Sequence, residues 1–156
     1  MNLSIRTAGN GDIHALVRLI NGAFIVERFV FDGDRISAAE TQAFMETGEF
    51  LLAEDSDDLV GCVYVEVRKD RGYVGLLSVD PRQQGTGLGR KLMEAAEDYF
   101  RRADCSGVDL RVISPRTPLP AFYRRLGYVE TGTAPFAPSL LAKVPGHYII
   151  MSKPLI

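Results

Sequence analysis

From Leu77 the chain reads Leu77-Ser78-Val79-Asp80-Pro81-Arg82-Gln83-Gln84-Gly85-Thr86-Gly87-Leu88-Gly89-Arg90-Lys91-Leu92. A short apolar run stops at Asp80-Pro81, three alternate glycines follow, and helical periodicity opens directly after them. A strand, a glycine turn and a helix start make a cradle for a phosphate. Glycine lets the backbone approach an anion closely, and the first N–H groups of a helix have no partner within it. Arg90 and Lys91 add positive charge beside that cradle.

The spacing separates the families that use such a cradle. The dinucleotide fingerprint G-x-G-x-x-G needs glycine where Arg90 stands, and the P-loop pattern G-x-x-x-x-G-K-[ST] fails at Arg90 and Leu92. What stands, Gln84-Gly85-Thr86-Gly87-Leu88-Gly89, fits [Q/R]-x-x-G-x-[G/A]. A second pattern lies downstream in Leu119-Pro120-Ala121-Phe122-Tyr123-Arg124-Arg125-Leu126-Gly127-Tyr128, a short helix ending in x-Y-x-x-x-G-[F/Y]. Thr117 is its expected N-cap, Pro118 its first helical residue, and Gly127 its terminating glycine. Together and in this order the two patterns resemble the GNAT family of N-acetyltransferases, tightly over about residues 74–131 and elsewhere only in the order of elements.

That resemblance implies a mixed α/β fold with a splayed central sheet of about six to seven strands and about four flanking helices. It implies acetyl-CoA as co-substrate, the pantetheine arm pairing with the backbone at Leu77, Ser78 and Val79 in the gap between two parting strands. The pyrophosphate would sit on Gln84, Gly85, Thr86, Gly87, Leu88, Gly89 and Arg90. A splayed strand pair leaves N–H and C=O groups that must find partners, and a pantetheine amide can supply them. The implied reaction is direct attack of a neutral amine on the thioester in a ternary complex. It needs a proton acceptor for the amine, a donor for the tetrahedral oxyanion and a proton for the departing thiolate. By resemblance the Val79 N–H is the oxyanion donor and Tyr123 the general acid. A tyrosine with an ordinary pKa of about 10 is protonated at neutral pH and able to donate.

The base is less clearly marked. Some members of that family carry a glutamate on the strand at 108–113, where this chain has Arg111, and the strand at 73–78 offers no carboxylate or histidine. Glu66, on the less apolar face of its strand beside Tyr64, is the best remaining carboxylate and the expected base. A water chain ending on a backbone carbonyl would also serve. Arg116 stands seven residues before Tyr123, where the family often has asparagine, and is kept outside the catalytic set.

The elements that must position these residues follow from periodicity. Residues 4–8 read as a first strand. Asp12 is the expected cap of a helix with Ile13, Leu16, Val17, Ile20 and Phe24 on one side, and Ser37 caps a second helix that ends before Gly48. Residues 50–54 and 59–68 form a hairpin around the acidic turn 55–58, with Val63, Val65 and Val67 opposite Cys62, Tyr64 and Glu66. The strand at 73–79 leads into the glycine turn. The helix after it, about 87–102, puts Leu88, Leu92, Ala95, Ala96 and Tyr99 on one side. The strand at 108–113 runs parallel to the strand before that helix, because a helix connects them. Another strand begins at 128–131, residues 133–146 with three prolines form an irregular loop or broken helix, and 147–152 is the last strand.

The 156 residues suit one domain, 1–156, with 46% hydrophobic and 24% charged residues. A net charge of −2 gives no reason to expect nucleic acid or an anionic membrane as partner. Cys62 and Cys105 read as buried free thiols, no histidine or cysteine spacing fits a metal, and a cytoplasmic location is the default expectation. The resemblance places the amine between residues 26–37 and 132–146, whose Glu27, Arg28, Asp32, Asp34, Arg35, Phe136, Leu140, Leu141 and Lys143, with His147 just beyond, carry both signs of charge. The expected function is N-acetyl transfer to a small-molecule, amino-acid or peptide amine; the resemblance also admits a homodimer. The alternatives are a module that holds acyl-CoA without turnover and a nucleotide-binding protein.

Overall fold

The acidic turn at 55–58 closes a tight hairpin, and the rest of the sheet is assembled on that hairpin. In the computed structural model, which describes residues 2–156, strands β2 (Glu49–Asp55) and β3 (Asp58–Arg68) pair antiparallel from Asp55↔Asp58 to Glu49↔Val65. β1 (Leu3–Thr7) adds to the outer side of β2, and β4 (Arg71–Val79) to the far side of β3. β5 (Gly107–Ile113), β6 (Val129–Pro135) and β7 (His147–Pro154) complete a seven-stranded sheet of order β1-β2-β3-β4-β5-β7-β6. β4 and β5 run parallel, as the connecting helix requires, and the other neighbours are antiparallel. Four helices flank it: α1 (Ile13–Ala23), α2 (Ala38–Thr47), α3 (Leu88–Arg102) and α4 (Pro118–Arg125). The expected mixed sheet and helix number are both present.

The alternation along β3 feeds two cores rather than one core and a wet face. Val63 and Val65 pack with Leu88, Leu92 and Phe100 of α3, while Cys62 and Tyr64 pack with Leu16 and Ile20 of α1 on the other side. The buried stripe of α3 is Leu88, Leu92, Met93, Ala96 and Phe100, so Met93 and Phe100 hold core positions; Ala95 and Tyr99 are only partly buried against that core. Cys62 and Cys105 are free and buried, and burial pushes the Cys62 thiol up to about 12. None of the described helices is long and apolar enough to cross a membrane.

Capping follows the sequence at one helix and departs from it at two. Ser37 Oγ accepts from the Glu40 N–H at 3.1 Å and Glu40 Oε1 accepts from the Ser37 N–H at 3.0 Å, a reciprocal box at the start of α2. Asp12 does not cap α1 through its side chain. Its carboxylate accepts from the Gly9 N–H at 2.8 Å and pairs with Arg6, because the chain makes a 3-10 turn at Asn10–Asp12 first. Thr117 already has helical dihedrals and makes no side-chain cap, leaving Pro118 to start α4 by its fixed φ. β6 extends through Pro135, so the irregular stretch shortens to 136–146, and β7 inserts between β5 and β6.

The splay is built by β4. Ser78 pairs with Cys62 and Gly75 with Tyr64, so two residues of β4, Leu76 and Leu77, face the single Val63. Leu76 sits in this bulge at φ +53°, a conformation a leucine adopts only when its surroundings impose it. The β4–β5 ladder runs only from Arg71↔Gly107 to Tyr73↔Asp109, and beyond Tyr73 the two strands part. The closed end is stapled: both Arg71–Asp109 hydrogen bonds are 2.7 Å, and Ser152 Oγ of β7 donates to Asp109 at 2.7 Å. Gly72 lies under the fully buried Phe100 ring, which a Cβ there would meet at 2.5 Å. Gly72→Ala is therefore expected to destabilise the fold by about 1–3 kcal/mol through overpacking. Chemical denaturation reads this as a lowered midpoint at unchanged slope, and an unaltered midpoint contradicts it.

Candidate active site

A cleft of about 770 Å³ opens where β4 and β5 part. At one end lies the glycine turn. Asp80 Oδ1 accepts from the Arg82 N–H at 2.9 Å and starts a 3-10 turn at Pro81–Gln83, and Thr86 Oγ1 donates to the Gln83 carbonyl at 2.6 Å. Gly85 and Gly87 then adopt φ of +82° and +81°, left-handed values that favour glycine, and a Cβ on either would meet nothing within 4 Å. Gly87 is the N-cap of α3, and its carbonyl accepts from the Lys91 N–H at 3.1 Å. The N–H groups of Leu88, Gly89 and Arg90 therefore have no partner within the helix, at the end where its dipole is positive. Such an arrangement can receive an anion.

Of the residues expected to hold the cofactor, Leu77, Val79, Gln84, Gly85, Gly87, Leu88, Gly89 and Arg90 line the cleft. Ser78 and Thr86 do not. The Ser78 side chain is buried on the opposite face of β4, where its hydroxyl donates to the Leu76 carbonyl at 2.9 Å, and the Thr86 hydroxyl is held by Gln83. At the end of β4 the Asp80 N–H donates to the Val60 carbonyl of β3 at 2.8 Å. Backbone groups of a strand alternate between its two neighbours, so the Val79 N–H points to the side that β5 leaves open.

Tyr123 enters from α4. It is only 7% exposed, packed edge-on against Phe122 and Tyr128 with ring centroids 5.0 and 5.9 Å away, and it lines the cleft. Its hydroxyl has no hydrogen-bond partner among the described residues, and no buried polar side-chain atom among them is left unpaired, so the hydroxyl is open to the cleft. Burial pushes its pKa well above the usual tyrosine value; the Arg116 charge pulls it down and Glu27 raises it, and the phenol is protonated at neutral pH.

Glu66 is not in this cleft. Its carboxylate accepts from the Tyr64 hydroxyl at 2.6 Å and from Arg68 Nε at 2.5 Å on the α2 side of the sheet. Desolvation acts to raise its pKa, but the hydrogen bonds from Arg68 and Tyr64 outweigh it, and the net displacement is downward. Glu66 and Tyr123 therefore do not line one cleft. Glu27, Asp32, Asp34 and Glu40 line the cleft, and of these Glu27, in the turn after α1, is the one whose charge acts on Tyr123. The Glu27 side chain is 12% exposed and takes a hydrogen bond from Arg116 at 3.2 Å. Desolvation raises the Glu27 pKa, opposed by Arg116 and by the nearby Arg35, and the net displacement is upward. The Glu27–Arg116 contact joins residues 89 apart, so no local pattern announces it. The available signals are separate: Glu27 stands in the 26–37 loop expected around the amine, and Arg116 just before the second motif.

The two loops expected around an amine do meet. The Lys143 N–H donates to the Val30 carbonyl at 2.7 Å, Lys143 pairs with Asp32 at 2.8 Å, and Phe31 packs edge-on against Phe136 at 5.1 Å. Leu140 lines the cleft, Leu141 is 84% exposed, and His147 is an exposed residue of β7.

The comparisons with known proteins agree with this architecture. The acetyltransferase (GNAT) family model matches residues 13–128. A mycothiol acetyltransferase of Saccharopolyspora erythraea is 33% identical over 136 residues, covering 84% of this chain and 45% of that protein. An IAA acetyltransferase of Azospirillum brasilense is 32% identical over 109 residues, 68% of this chain and 67% of that protein. The chain therefore spans less than half the length of the first of these relatives. Among solved structures, Ard1 from Thermoplasma volcanium superposes with a TM-score of 0.81 at 18% identity, over 100% of this chain and 99% of that one. The putative acetyltransferase yncA from Salmonella typhimurium, solved with its cofactor acetyl-CoA, superposes with a TM-score of 0.79 at 19% identity, over 100% of this chain and 95% of that one. These two show the fold. The family match takes in the glycine turn, the bulged β4, Glu27 and Tyr123 alike, and the chain belongs to the GNAT family of acetyltransferases.

Proposed function

We propose that this protein moves the acetyl group of acetyl-CoA to a primary amine by direct attack in a ternary complex. The observation that carries this reading is one continuous cleft with an anion cradle at one end and a buried tyrosine and a half-buried carboxylate at the other. The diphosphate of CoA lies on the free N–H groups of α3, and its pantetheine amides pair with the β4 edge that β5 has left. The thioester carbonyl then comes to the Val79 N–H. Glu27 holds the incoming ammonium and takes one proton from it, and the neutral nitrogen attacks. A C–N bond forms to give a tetrahedral oxyanion, and the C–S bond breaks as the CoA sulfur takes the Tyr123 proton. The nitrogen's second proton returns to the phenolate while Glu27 gives its own to solvent. The reading as a module without turnover rested on the missing base, and Glu27 in the same cleft as Tyr123 is a carboxylate able to serve as one. Mycothiol acetyltransferase and IAA acetyltransferase name different acceptors, so the relatives support transfer and leave the amine to be argued from this cleft.

Acetyl-CoA at about a hundred times its dissociation constant should add roughly 2.7 kcal/mol to the folded state, visible as a raised melting temperature that ATP and NAD do not produce. Gly87→Glu should abolish that stabilisation, because it strains a left-handed position and fills the cradle. No shift with acetyl-CoA in the wild-type protein would sink the reading.

Tyr123→Phe should lower kcat by about 10²–10⁴-fold with the KM for acetyl-CoA little changed, the range for a general acid. Wild-type turnover in that variant removes Tyr123 from the mechanism.

Glu27 must be ionised to accept a proton, so kcat/KM should rise with pH through an apparent pKa above the ordinary glutamate value of about 4.3. Glu27→Gln should lose this acid limb along with most of the rate. A pH–rate profile of unchanged shape and height in the variant assigns the proton to another acceptor.

A further inference from the structure

Pairing in the cleft is uneven: its acidic side chains are all engaged, while some of its guanidiniums meet no carboxylate among the described residues. Each acidic side chain lining it is engaged: Glu27 with Arg116 at 3.2 Å, Asp34 with Arg28 at 3.3 Å, Asp32 with Lys143 at 2.8 Å, and Glu40 with its own helix cap at 3.0 Å. Two lining guanidiniums, Arg35 and Arg111, have no carboxylate partner among the described residues. Each is instead held over an aromatic ring, Arg35 at 5.4 Å from the Phe24 centroid and Arg111 at 4.1 Å from that of Tyr148. Stacking leaves the in-plane N–H groups of a guanidinium free to donate.

Both lie on the acceptor side. Leu110 and Val112 point into the core beneath α3, so Arg111 projects from the opposite face of β5, toward Tyr148. Arg35 is close enough to Glu27 for its charge to act on that carboxylate. The CoA phosphates are already provided for at the start of α3. Resting on the acetyl-transfer reading, we infer that the acceptor is an amine that also carries a carboxylate, an amino-acid-like molecule. Glu27 receives its ammonium, and Arg111 and Arg35 receive its carboxylate. The aromatic rings under the two guanidiniums hold them in place.

The test is a panel of free amino acids, with the amine and carboxylate at several separations, run beside their amides and decarboxylated amines under acetyl-CoA. Thiol release should be seen with one or more of the acids and should fall by about tenfold or more for the matched amide, the loss expected for one charge-assisted pair. The double variant R35Q/R111Q should raise the KM for the accepted acid by a similar factor, with the KM for acetyl-CoA not following it. Equal rates for acid and amide overturn the inference while leaving acetyl transfer standing. So does turnover of uncharged amines or peptide N-termini with no free amino acid accepted. A KM for acetyl-CoA that rises instead assigns the arginines to the cofactor and also overturns it. Failure of acetyl-CoA to bind the wild-type protein is the separate outcome that removes the acetyl-transfer reading itself.

Discussion

The bulge at Leu76 is the constraint on which the site depends. Placing two residues of β4 against one of β3 bends the strand away from β5, and the parallel ladder ends after Tyr73↔Asp109. A leucine at φ +53° costs about 1–3 kcal/mol and persists only where packing over-determines it. Here the Leu76 side chain is held in the core beneath α1, and its carbonyl accepts from Ser78 Oγ at 2.9 Å and Cys62 Sγ at 3.8 Å. The strain is compensated on the α1 face, while the opening it creates faces the cleft.

The closed end of the splay must resist the same bend. The Arg71–Asp109–Ser152 group links β4, β5 and β7, but its partly exposed ion pair contributes little by itself. Burial of Phe100 over Gly72 and of Val108 beneath α3 does more, because close-packed apolar surface is lost outright when strands separate. The result is a wedge, fixed at one end and open at the other.

A second polar device holds Tyr123. Glu97 is buried on α3 and accepts from the Tyr128 hydroxyl at 2.9 Å and from Lys153 of β7 at 2.8 Å, while Lys153 also donates to the Leu126 carbonyl at 2.8 Å. A buried charge left unpaired is costly, so these partners tie α3, β7 and the end of α4 together. Tyr128 packs edge-on against Tyr123 at 5.9 Å. The helix that carries the anion cradle and the helix that carries the phenol are thereby held in one frame. Gly127, at φ +99°, makes the turn between Tyr123 and Tyr128.

Contacts between near neighbours in the chain were legible in the sequence. The order Gln84-Gly85-Thr86-Gly87 at a strand-to-helix turn, Ser37 with Glu40, and Pro118 with Gly127 around Tyr123 each specify a backbone conformation within a few residues, and each has the expected conformation. Asp12 and Thr117 show the limit of that reasoning, since a neighbouring 3-10 turn and a helical N-cap removed the need for their side chains. The splay was expected by resemblance, but its cause, a leucine in a left-handed bulge, has no sequence mark, because it is imposed by packing on both faces of β4. That Glu27 and not Glu66 reaches the cleft also lay beyond the sequence. Glu66 and Glu27 are the same side chain, and only folding placed one in a Tyr64–Arg68 network and the other beside Arg116 in the cleft. Burial and pairing over 89 residues decide a carboxylate's charge and reach, and those are properties of the assembled chain.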